Sequence, residues 1–172
     1  MGWYAKSYEA IKQLHGDDAD LYAQCLAATS PMSELKSNVS LANKAFSQIK
    51  AGRPITGFIG GHKKNLERIA RREPIQGQKV VSFYKNLIGD SSAITIDRWM
   101  MRHYGYEYDH QPTKKEYAEI SARLSEEAAE QGMTNSDYQA RLWTAARGKV
   151  GSFSQHLQGK QIGFAFNPSR KR

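Results

Sequence analysis

The feature that most narrows the fold is an apolar rhythm of three to four residues that restarts after every turn. No alternating run is long enough to build a sheet. Tyr4, Tyr8, Ile11 and Leu14 share one helical face, and His15-Gly16 ends that segment. Asp17 and Asp18 are placed to cap a second helix whose Leu21, Tyr22, Cys25 and Leu26 share a face. Ser33 can start a third, striped by Leu35, Val39, Ala42, Phe46 and Ile49. "AGRPITGFIGGHK" reads as a loop, because its glycines and proline break any regular element. A short helix over 62–72 follows, then a turn in "REPIQGQK", then a helix from Lys79 to Ile88 with Val80, Phe83 and Leu87 aligned.

"AITI" is the one β-type run, too short to anchor a sheet. Arg98 to Tyr104 is predicted helical, capped by Asp97 and closed by Gly105. Thr113 and Glu116 are spaced as a capping box for a long helix striped by Tyr117, Ile120, Leu124 and Ala128. Thr134 with Asp137 marks another start, and the basic "NPSRKR" end reads as loose. There is no internal repeat, low-complexity tract or clean linker. The expectation is one all-α domain over residues 1–172, with about seven or eight helices.

Charge supplies the first functional hint. The net charge is +8 and the pI about 9.6, so the chain is drawn to polyanions, of which nucleic acid is the commonest in a cytosol. Lys64, Arg68 and Arg72 recur one turn apart on the 62–72 helix, either a solvated basic face or a phosphate-facing one. No apolar run approaches the roughly 18 residues of a membrane span, and no signal peptide is expected. The single cysteine, Cys25, excludes an internal disulfide and any multi-cysteine metal site. The histidines show no ligand spacing, so no metal is expected. A reducing cytoplasm is the expected setting, and no obligatory protein partner is evident.

A helix, a glycine-containing turn and a second helix can make an anion site. Backbone N–H groups there point outward with the positive end of the helix dipole. "PIQGQK" supplies such a turn: Gly77 permits close backbone approach and Lys79 opens the second helix. "PIQGQKVVSF" followed by "AITIDRWMMRHYG" resembles the helix–hairpin–helix DNA glycosylase superfamily, its endonuclease III-like group. "LYAQCLAATSPMSELKSNVSLANKAF" resembles that family's early helix pair, so the likeness is strongest over 17–105. The chain is also similar to small phage-encoded glycosylase-like proteins. Ile75 stands where the family usually has its first hairpin glycine, and Arg98-Trp99 follow the aspartate in place of a short residue and a histidine. The family's cluster-binding cysteines are absent.

The resemblance implies a two-lobed helical fold with a central cleft and double-stranded DNA as partner. It places the protein in the cytoplasm, at the nucleoid or in a phage-infected host. Asp97 becomes the carboxylate that stabilises a sugar cation, and Lys79 the nucleophile of a glycosylase with AP-lyase activity. Gln76, Gly77, Gln78, Lys64, Arg68, Arg72 and Thr29 become DNA contacts, while Gln24, Ala28 and Thr29 end the early helix either as core and cap or as the border of a flipped-base pocket. Trp99 and Trp143 are expected as core aromatics, with Tyr84 and Asn86 facing DNA. No cofactor is implied beyond a monovalent cation on the hairpin carbonyls. Two other functions stay open: a base-modifying transferase on modified pyrimidines, and a non-catalytic DNA-binding module.

Overall fold

The structure is a computed structural model describing residues 2–107 and 109–147; the "NPSRKR" end lies outside them. It is all-helical, with no strand among the described residues. In order the helices are α1 (Trp3–His15), α2 (Ala19–Ala28), α3 (Leu35–Lys50), α4 (Gly60–Ala70), α5 (Gln78–Leu87), α6 (Arg98–His103), α7 (Lys114–Glu130) and α8 (Asn135–Arg147). None of them is long and apolar enough to cross a membrane.

α2 is the hub of the larger core. Its Ala23, Ala27 and Ala28 are small enough to let α1, α3, α4 and α5 close around it, and Tyr22, Cys25 and Leu26 fill the space between. Burial pushes the Cys25 thiol up to about 12, so the reactive thiolate is absent at neutral pH. Cys25 is expected to resist dithionitrobenzoate in the native protein and to react fully in denaturant. Prompt reaction of the native protein would show that α2 opens to solvent.

A second, smaller core gathers Ile94, Ile96, Met100, Met101, Tyr117, Ile120 and Leu124. α8 packs on α6, α7 and α1, tying this core to the first. The stripe predicted on α7 is buried as expected, and Thr113 and Glu116 form the full capping box. Two caps differ from expectation. Asp17 and Asp18 lie in a 3-10 turn and cap nothing with their side chains; Asp18 pairs with Lys50 at 3.0 Å instead. Ser33 falls short of α3, which begins after Glu34.

"AITI" shows why a β-type run need not become a strand. Its backbone groups require partners, and side chains of three helices supply them. Thr95 N–H donates to Gln139 Oε1 on α8 at 2.7 Å, and Ile96 N–H donates to the Tyr117 hydroxyl on α7 at 3.2 Å. That hydroxyl in turn donates to Ile94 O, while Asn86 Nδ2 on α5 donates to Ala93 O. Ile94 and Ile96 enter the second core and Thr95 turns toward α5 and α8, the alternation of an extended chain.

Candidate active site in the cleft between the two cores

The connection from α4 to α5 is built around Asn65. α4 ends at Ala70, and Arg72 takes a left-handed conformation (φ 60°) that turns the chain. The buried Asn65 amide then pairs with both backbone groups of one residue: Gln76 N–H donates to Oδ1 and Nδ2 donates to Gln76 O, each at 2.9 Å. Arg68 adds a donor to the same Oδ1 at 3.1 Å. Gly77 follows at φ 106°, and its carbonyl accepts from Val81 N–H to start α5. No side chain caps α5. A helix leaves its first-turn N–H groups without intrahelical acceptors, so the amides around Lys79 form a positive concavity.

Gly77 needs its φ more than its space, since a Cβ there would meet nothing nearer than Val80 at 3.9 Å. Gly77→Ala is therefore expected to cost ~1–3 kcal/mol through backbone strain. Denaturant melts read that loss. An unchanged melt would show that the turn relaxes freely.

Just past this turn lies a cavity of about 690 Å³, in the usual range for ligand sites. Its walls come from both cores. α1 contributes Trp3 and Tyr4, α5 contributes Lys79 and Phe83, and the segment leading into α6 contributes Asp97. Lys79 is exposed by surface area, yet it lines this recess. Enclosure by the cleft walls pushes its ammonium below the ordinary lysine value, Asp97 partly opposes that push, and Arg98 adds to it. Asp97 is half-buried, and its Oδ1 accepts Met100 N–H at 3.0 Å, the expected cap of α6. Cap and cleft-facing carboxylate are thus one residue. Burial, followed by the charge of Asp97, raises the Tyr4 phenol, which stays protonated at any physiological pH.

The remaining predicted residues divide. Gln78 lines the cavity with Gly77, Gln76 and Arg72 are exposed on the connection, and Lys64 is exposed on α4. Arg68 is half-buried and bonded to Asn65. Thr29 needs correction: it is fully buried, and its hydroxyl donates to Cys25 O at 2.8 Å, leaving no atom for a phosphate. Ala28 is buried too, and Gln24 donates to Asp20, so the loop residues bordering the cavity are Ser30 to Leu35. Asn86 is 2% exposed and faces the interior rather than DNA, while the Tyr84 hydroxyl donates to Asp20.

Trp99 and Trp143 are half-buried in the cavity wall rather than in a core. Arg102 lies over the Trp99 ring at 4.5 Å, and Trp143 meets Trp3 edge-on at 5.2 Å. The Gln76 carbonyl accepts from Asn65. Asn65 and Gln139 carry no local signal, and Tyr4 and Thr95 read only as part of a helical stripe and of the "AITI" run, because only their tertiary neighbours make them noteworthy.

A profile of the family described as "Family of unknown function (DUF7178)" matches residues 1–150. No curated protein and no solved structure matches the chain.

Proposed function

We propose that this chain, which belongs to the DUF7178 family, is a DNA glycosylase with lyase activity that acts on a nucleotide flipped out of duplex DNA. The observation that carries the reading is the convergence in one cleft of Lys79, its ammonium depressed by enclosure, with Asp97. In this reading α4, its turn and α5 work as a helix–hairpin–helix. The amides at the start of α5 hold a phosphate, and Lys64 and Arg72 add charge beside it. The target must leave the stack, because its anomeric carbon is unreachable inside the duplex.

The chemistry assigns one task to each residue. As the N-glycosidic bond breaks, positive charge grows on the sugar, and the Asp97 carboxylate stabilises it. The base leaves with the bonding pair and takes up a proton. The neutral Lys79 amine adds to the anomeric carbon, and as the C1′–O4′ bond opens one amine proton passes to the ring oxygen, leaving a protonated Schiff base. β-Elimination then expels the 3′ phosphate and nicks the strand. A lysine held at the ordinary value would be almost wholly protonated at pH 7 and unable to attack.

The test is borohydride trapping on a duplex carrying a single abasic site, a substrate that sidesteps the unknown base. The expected result is a covalent protein–DNA adduct. No adduct, with duplex binding intact, would remove the lyase and leave a monofunctional glycosylase, a transferase or a binding module. Mass analysis of the base separates these, since only a transferase returns a base of changed mass with no abasic site.

A further inference from the structure

We infer that Asn86, Thr95 and Gln139 form a positioning network that sets Asp97 against Lys79, an inference that rests on the catalytic reading of that pair. The network is a closed set of hydrogen bonds. Asn86 Oδ1 accepts from Thr95 Oγ1 at 2.8 Å and from Gln139 Nε2 at 2.7 Å. Gln139 Oε1 accepts Thr95 N–H at 2.7 Å, and Asn86 Nδ2 donates to Asp90 O at 2.9 Å and Ala93 O at 2.8 Å. All three residues are under a tenth exposed, at 2%, 8% and 1%. Loosening one bond therefore strands a buried polar group, and the network holds as a unit.

Its placement is what matters. Asn86 lies two helical turns after Lys79 on the same stripe of α5, with Phe83 between them lining the cleft. Those two turns span ~10 Å along the helix. Thr95 is pinned at Asn86, and Asp97, two residues on, lines the same cavity as Lys79. Two extended residues from Thr95 to Asp97 cover ~6–7 Å of that distance. The few ångströms left are within reach of the aspartate and lysine side chains. Gln139, from a helix that also packs on α1, fixes the same segment from the far side. Nucleophile and carboxylate are thus measured off one anchor.

Slackening such an anchor misplaces the reacting groups without touching DNA. Gln139→Leu and Thr95→Val are both expected to lower the single-turnover base-release rate roughly 10–100-fold at unchanged duplex affinity. Thr95→Ser, which keeps the hydroxyl, is expected to restore most of it. Wild-type rates in both Gln139→Leu and Thr95→Val would overturn the inference.

A second readout does not depend on activity. Selective 13C labelling of lysine, with Lys79→Met for assignment, follows the Lys79 titration by NMR. The charged groups that bear on it are Asp97 and Arg98. Removing the charge in Asp97→Asn should lower the Lys79 pKa further. Gln139→Leu should move it the same way, and should move it no further when Asp97 is already Asn. If wild type forms no adduct, Lys79 is not the nucleophile and the positioning inference is judged on this titration alone. A Lys79 titration unaltered by Gln139→Leu would then overturn it.

Discussion

Asp97→Asn is expected to abolish base release, by at least about 100-fold, while duplex affinity stays near that of wild type. Asparagine caps a helix as well as aspartate does, so the bond from Met100 N–H survives and α6 keeps its start. What disappears is the negative charge facing Lys79. Single-turnover base release under enzyme excess, on a duplex carrying a released base, measures the chemical step. A gel-shift titration run alongside separates it from binding. Retained base release would strip Asp97 of its chemical part and leave it a helix cap alone. Trapping on a preformed abasic site should suffer less, because that substrate has already lost its base.

Lys79→Ala is expected to eliminate the borohydride adduct, and the pH profile of the wild-type reaction should report the same amine. Because enclosure lowers its pKa, the neutral fraction of Lys79 exceeds that of an ordinary lysine throughout the neutral range. The trapping rate should therefore climb with pH and level off below 10.5, the value of a free lysine. A rate still rising through 10.5 would mean that the amine is not depressed. An adduct persisting in Lys79→Ala would assign the nucleophile elsewhere.

Stability gives an independent sign for the same residue. Between the lowered folded pKa and 10.5 the unfolded chain binds a proton that the folded chain does not, so stability rises with pH across that window. Below the folded pKa the penalty of enclosing the ammonium is fully present. Lys79→Met, which keeps the bulk and removes the charge, should accordingly melt no lower than wild type at neutral pH. Its advantage should vanish above 10.5. Such a result separates lost chemistry from lost fold.

Much of the helical order was legible in local pattern. The stripes of α3 and α7, the Thr113–Glu116 capping box and the glycine turns after His15 and before Gln78 each follow from neighbouring residues. Asp97 as a cap was readable for the same reason. Thr29 was misread as a surface contact because a small polar residue at a helix end suits a cap, a pocket rim or a buried turn equally well. Its burial follows from Asn38, whose Nδ2 donates to the Thr29 hydroxyl and to Leu26 O. Asn65 was passed over as one polar residue among the basic ones of α4, with nothing nearby to announce that Gln76 would meet both ends of its amide.

Sequence alone determined that the chain is helical, where most helices begin and end, and that Lys79 opens one helix while Asp97 caps another. These follow from periodicity and capping, which are local and need no partner from elsewhere in the chain. Only the tertiary structure decided that the two residues share a cleft, that its walls depress the lysine, and that "AITI" is held by side chains rather than by a strand. Those outcomes depend on pairings such as Gln139 with Asn86, 53 positions apart. Such pairings form only once the helices pack, because a buried amide must find its partner wherever the fold brings one.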